Sequence, residues 1–139
     1  MERPKVTPEM VSEAATKLAT ANGWDTDQAS DVASAYSRYM DGYQLAKELE
    51  RKHGWLITAP DVEALDCMDS DVREILKHAC MEWARENDIQ PPLPVGTMTT
   101  LGKITGLYKY EAACYEVLEP GCTEPSRRRI VRYEDACAA

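Results

Sequence analysis

Phenylalanine is missing altogether from the 139 residues of this chain. Its aromatic area comes from seven tyrosines and three tryptophans, so every large ring carries a polar handle of the kind enriched at interfaces. Long apolar runs are missing too. Nowhere do about eighteen consecutive apolar residues occur that would span a bilayer, and the opening MERPKVTPEM has no apolar stretch of the signal-peptide type. A cytoplasmic protein without a membrane partner is the expectation. Cysteine is sparse: Cys67, Cys80, Cys114, Cys122 and Cys137 are odd in number and widely spaced, unlike a disulfide framework and in keeping with thiols in a reducing cytosol. With no Cys-x-x-Cys and no His-x-x-x-His, paired zinc ligands at short spacing are lacking, and no metal or other cofactor is expected.

Catalytic signatures are equally thin. The stretch from Gly96 to Gly102-Lys103 invites comparison with a phosphate-binding loop. Five residues separate the glycines rather than four, Ile104 stands where a hydroxyl would bind magnesium, and the segment follows prolines instead of a strand. Asp69-Ser70-Asp71 starts like a calcium loop, yet Arg73 interrupts it and neither the loop glycine nor the closing glutamate follows. No serine or cysteine sits in the context of an activated nucleophile. A non-enzymatic protein is expected.

Charge is present in quantity and is segregated. Residues 1–90 hold eighteen Asp and Glu against ten Lys and Arg, while residues 91–139 hold six of each, so the whole net charge of −8 belongs to the first part. The acidity peaks at Asp61, Glu63, Asp66, Asp69, Asp71 and Glu74, where six acids within fourteen residues are answered only by Arg73. Such a field repels nucleic acid and attracts basic protein surfaces.

The first part reads as helical. Thr7-Pro8-Glu9 is an N-cap, a proline at the first helical position and an acid in the first turn; Val11, Ala14, Leu18 and Ala21 form the apolar face, and Asn22-Gly23 stops the helix. Asp25 with Gln28 is a capping box for a second helix running through Ala29, Val32, Tyr36, Tyr39, Tyr43 and Ala46 to His53-Gly54. Read as one piece it spans about 28 residues and roughly 42 Å, with Asp41-Gly42 as a point of breakage. Tyr36, Tyr39 and Tyr43 then share one face, Tyr36 towards the core and Tyr43 towards another chain, because Gly42 beside it lets a backbone approach. Thr58 with Pro60 and Asp61 opens a short third helix with Val62 and Leu65 inward. After a cap at Asp69 or Ser70, a fourth carries Val72, Ile75, Leu76, Ala79, Cys80 and Trp83 to about Asn87.

Pro91-Pro92-Leu93-Pro94 cannot continue a helix, and beyond it the periodicity becomes alternating. The boundary is set there: an acidic helical module over 1–90, then a proline linker and small β module over 91–139. Leu101 to Tyr110, Cys114 to Glu119 and Arg128 to Tyr133 are the expected strands. The run Gly102-Lys-Ile-Thr-Gly106-Leu-Tyr, the turn, Cys114-Tyr-Glu-Val-Leu and the close on Tyr133-Glu134-Asp135 resemble the small SH3-like barrels of many phage and bacterial accessory proteins. That resemblance covers about a third of the chain and implies architecture alone. The expected fold class is α+β, four helices followed by a small antiparallel sheet or partial SH3-like barrel.

Two surfaces compete for the function. The acids Asp61, Glu63, Asp66, Asp69, Asp71 and Glu74, with the aromatics Tyr39 and Tyr43, suit a basic protein partner. Arg127, Arg128, Arg129 and Arg132, with Tyr108, Tyr110, Tyr115 and Tyr133 as stacking platforms, suit single-stranded nucleic acid, against which the −8 module weighs. A small acidic chain without catalytic motifs resembles the phage and mobile-element proteins that inactivate host defence complexes, anti-CRISPR proteins among them. The resemblance implies an inhibitor that occupies the basic, nucleic-acid-reading surface of a bacterial complex. A homodimer built on the aromatic helix is a further partner to consider.

Overall fold

Thr7 Oγ1 accepts the Met10 N–H at 3.3 Å and Pro8 stands in the first turn, so α1 (Pro8–Asn22) begins where its cap dictates. Ala14, Ala15, Leu18 and Ala19 are its buried side chains. Ala21, expected on that face, is exposed, because the stripe advances from Ala15 to Ala19 in a step of four. The Asp25–Gln28 capping box forms in both directions at 2.8 and 2.9 Å and starts α2 (Thr26–Ala35).

The computed structural model describes residues 2–121 and 128–139. The fold is α+β. After α1 and α2 come α3 (Gly42–His53), α4 (Ala59–Leu65) and α5 (Met68–Glu86), then four strands, β1 (Met98–Thr99), β2 (Gly102–Leu107), β3 (Cys114–Leu118) and β4 (Arg128–Arg132). Two compact units divide the chain, one ending at His78 and the other starting at Ala79.

The long second helix of the sequence reading is in fact two, α2 and α3, separated at residues 36–41. The break carries a local mark. Asp41 and Gln44 form a second capping box, at 2.8 and 3.0 Å, which fixes a new helix start at Gly42. Tyr36, Tyr39 and Tyr43 therefore do not lie on one helical face. The fourth helix of that reading likewise starts earlier, at Met68, which puts Asp69 and Asp71 inside its first turn, where acids favour the helix dipole.

The core of the first unit gathers Ala14, Leu18, Val32, Leu45, Leu49, Leu65, Met68 and Val72. Burying each of the leucines contributes roughly 1.5–3 kcal/mol. Gly42 is where α3 meets α4: a Cβ there would stand 2.2 Å from the Val62 carbonyl oxygen and 2.8 Å from the Asp66 nitrogen. The close backbone that this glycine admits is the chain's own.

In the second unit the sheet is antiparallel and open, in the order β1-β2-β3-β4. Its core is Ile104, Tyr115, Val117 and Val131, with Leu93, Leu101, Tyr133 and Ala136 packed on it. Tyr115 is fully buried, and its hydroxyl both accepts the Leu93 N–H at 2.8 Å and donates to the Leu93 carbonyl at 3.0 Å. One phenol thus ties the proline segment to the sheet. Gly102, at φ +133°, lets β2 turn in against β3, since a Cβ would meet the Leu118 carbonyl oxygen at 2.0 Å. The chain's end returns beside β1, bridging Thr99 to Ala138, with Thr100 donating to Cys137 at 3.0 Å and Ala139 to Met98 at 3.0 Å. Among the described residues no helix is long and apolar enough to cross a membrane.

Candidate functional site

Residues 36–43 form the most unusual surface of the first unit. Tyr36 ends α2 and is buried, whereas Tyr39 is 76 % exposed and Tyr43, the second residue of the next helix, is 61 % exposed. Tyr39 has φ +68°. A tyrosine in the left-handed region crowds its Cβ against the backbone and costs about 1–2 kcal/mol, so something must hold it there.

Asp69 does so from α5. Its Oδ1 accepts the Tyr39 N–H at 2.8 Å and the Tyr36 hydroxyl, while Oδ2 faces Arg73 Nε at 3.2 Å. Burial pushes the Asp69 carboxyl up, but the bonds from Tyr36 and Tyr39, with Arg73 and Arg38 nearby, outweigh it and hold the group below the usual carboxylate range. Burial first, then the bond to Asp69, pushes the Tyr36 phenol above its ordinary value. Asp66, at the end of α4, accepts the Gly42 N–H at 2.7 Å and fixes the other side of the turn. Each exposed ring has a cation over it: Arg38 at 4.8 Å from the Tyr39 centroid and Lys47 Nζ at 5.3 Å from that of Tyr43.

The acidic cluster is thus dispersed among separate jobs. Asp61 closes the Thr58 capping box, accepting its N–H at 3.0 Å, and Asp71 lies 3.6 Å from Lys17. Asp66 and Asp69 hold the tyrosine turn. Glu63 is exposed, and Glu74, also exposed, pairs with His78 at 3.4 Å. Of the six acids proposed from sequence, the fold brings Asp69 to Tyr39 and Asp66 to Gly42, while the exposed Glu63 and Glu74 hold no backbone amide of that turn. Sequence reasoning missed Tyr36 as a donor, Gly42 as an inward contact and Arg38 as a cover. The signal for the turn was present: Asp41-Gly-Tyr-Gln44 repeats the Asp-x-x-Gln pattern that starts α2.

On the second unit, Arg128, Arg129 and Arg132 are exposed along β4, and Arg127 lies outside the described residues. Arg128 stands 3.3 Å from Glu116 and Arg129 4.0 Å from Glu119. Of the tyrosines suggested as stacking platforms, Tyr115 is core and tilts against Tyr133 at 4.5 Å, so its face is closed to a base. Tyr108 and Tyr110 meet edge to face at 5.5 Å. Cys67 and Cys137 are exposed free thiols, Cys80 and Cys114 are buried, and Cys122 lies outside the described residues.

A depression of about 540 Å³ between the segment before α1 and α2 is lined by Val6, Val11, Ala33 and Tyr36 among others. Its titratable group is the Tyr36 phenol, already committed to Asp69. Comparison with protein-family models, curated proteins and solved structures finds no match for this chain.

Proposed function

We propose that this chain is a non-enzymatic, protein-binding inhibitor that engages its partner through Tyr39 and Tyr43. The observation that carries the reading is the backbone of Tyr39. A large side chain is kept at φ +68° and still left 76 % exposed, so the strain is repaid by no burial within the chain. Strained residues persist where neighbours over-determine them, and they concentrate at ligand contacts. Asp66, Asp69 and Gly42 supply that over-determination. A pre-set aromatic loses little conformational freedom on docking, which is how tyrosine anchors come to dominate interface energies.

The partner in this reading is basic. The field of the −8 chain steers cationic surfaces towards it, and the outward acids Glu63 and Glu74 add to the attraction. Inhibitors carried by phages and mobile elements, of the anti-CRISPR kind, have this chemistry when they cover the nucleic-acid-reading surface of a bacterial defence complex in the cytoplasm.

The test is a pair of substitutions, Tyr39→Ala with Tyr43→Ala, in a tagged chain expressed in a CRISPR-competent host. The wild-type chain is expected to restore plating of a targeted phage and to retain a basic complex on the resin after nuclease treatment. The double variant, with its melting temperature unchanged, is expected to lose both. Equal protection by the variant removes the tyrosines from the interface, and recovery that vanishes with nuclease removes the protein partner.

A further inference from the structure

We propose that β4 is a docking edge for an extended acidic segment of a partner protein, which adds to the sheet as a further strand. The two ends of this sheet are treated differently. At β1 the chain covers its own edge with the tail, through the Thr99–Ala138 bridge and the bonds from Thr100 and Ala139. At the other end β4 is terminal: it pairs in unbroken register with β3, from Cys114 opposite Arg132 to Leu118 opposite Arg128, and no strand among the described residues pairs with its outer side. A terminal strand presents unpaired backbone N–H and C=O groups, which is the template that strand addition uses.

The side chains choose the occupant. Val131 opposes Tyr115 and is buried on the core face, so Arg128, Ile130 and Arg132 share the opposite, outward face. Ile130 is 48 % exposed between the two arginines. A second copy of β4 is a poor occupant: in an antiparallel pairing centred on Ile130, Arg128 of one copy stands opposite Arg132 of the other, and like charges directly opposed destabilise a ladder. The same arithmetic selects acid, spacer, apolar residue, spacer, acid. Arg128 and Arg129 already have Glu116 and Glu119 on the β3 side, whereas Arg132 has no ion pair among the described residues, so the acid opposite Arg132 contributes most. This edge lies in the second unit and is independent of the tyrosine site.

The experiment titrates labelled peptides into the full chain. One peptide alternates glutamate, valine and glutamate with threonine spacers; a second replaces the glutamates by lysine; a third is the acidic peptide with N-methyl groups on the amides that face the strand. The acidic peptide is expected to saturate, and N-methylation is expected to weaken it by about tenfold or more, because backbone bonds are lost while charge is kept. Arg132→Glu, an exposed change, is expected to reverse the preference between the acidic and the lysine peptides. Equal binding of the N-methylated peptide, equal binding of the lysine peptide to the wild-type chain, or absence of saturation overturns the proposal. Tighter binding of a single-stranded oligonucleotide than of the acidic peptide, weakened by Arg132→Glu, overturns it in favour of nucleic acid.

Discussion

Asp69 Oδ1 accepts the backbone N–H of Tyr39 at 2.8 Å from thirty positions along the chain. The same oxygen takes the Tyr36 hydroxyl, so one carboxylate holds the start of the turn and its strained residue together. The side chain of Asp69 is 13 % exposed, and because the acceptor is charged these bonds are worth more than neutral ones.

The pH dependence follows from the direction of the shift. Asp69 is held below its ordinary value of 3.8, so the folded chain prefers the charged form; the stabilisation is complete above about pH 4 and is lost as pH falls through the lowered value. Asp69→Asn is expected to cost about 2 kcal/mol at neutral pH, the scale of a hydrogen bond to a charged group. The gap in melting temperature between wild type and variant is expected to narrow below about pH 4. A gap that stays constant down to strong acid would show that the charge of Asp69 is not what the fold uses. Tyr36 acts in the opposite sense: its raised value adds stability that is present below about pH 10 and lost as the pH climbs through the raised value.

Replacing Tyr39 by glycine separates stability from function. Glycine reaches φ +68° without the Cβ clash, and the relief of about 1–2 kcal/mol exceeds its extra cost in the unfolded chain. The variant is expected to melt at the same temperature or a few degrees higher, and to lose partner capture. A large drop in melting temperature would mean that the ring of Tyr39 packs in the fold after all, contrary to its 76 % exposure.

Helix starts were legible because capping chemistry is local: Thr7, Asp25 and Thr58 each find a partner three residues on, within reach of a short side chain. The break before Gly42 carried the same mark, yet the steps from Val32 through Tyr36 and Tyr39 to Tyr43 imitate a continuous helical stripe. What decides between them is Asp66 and Asp69, more than twenty residues away, which satisfy the Gly42 and Tyr39 amides that a continuous helix would have used. Long-range acceptors leave no periodic trace. For that reason the acidic cluster read as one surface, whereas folding assigns its members to a cap, an ion pair and a clamp.

Tyr115 makes a comparable long-range tie in the second unit, 22 positions from Leu93. Tyr115→Phe keeps the buried ring and removes the hydroxyl, leaving the Leu93 N–H and carbonyl to find other partners. A loss of about 1–3 kcal/mol is expected, with faster amide exchange at Leu93 and Val95, whose neighbours Pro91, Pro92 and Pro94 carry no amide hydrogen, and little change in α1 to α4. Exchange that accelerates uniformly along the chain would instead point to loss of the whole fold.

Charge reversal at two pairs of acids distinguishes a steering field from a structural clamp. Glu63 and Glu74 are exposed, so Glu63→Lys with Glu74→Lys is expected to leave stability within about 0.5 kcal/mol of wild type. The change of four charge units weakens the attraction to a basic partner at long range. Association with the complex recovered through Tyr39 is therefore expected to slow by roughly tenfold at low salt, and the difference is expected to shrink as ions screen the field. Asp66→Lys with Asp69→Lys changes the net charge by the same amount but removes the acceptors of the Gly42 and Tyr39 amides and leaves the Tyr36 hydroxyl without its carboxylate. This second pair is expected to lower the melting temperature sharply and to abolish capture at every salt concentration. Equal effects of the two pairs on association, with both variants fully folded, would assign Asp66 and Asp69 to the steering field and take the clamp out of the mechanism.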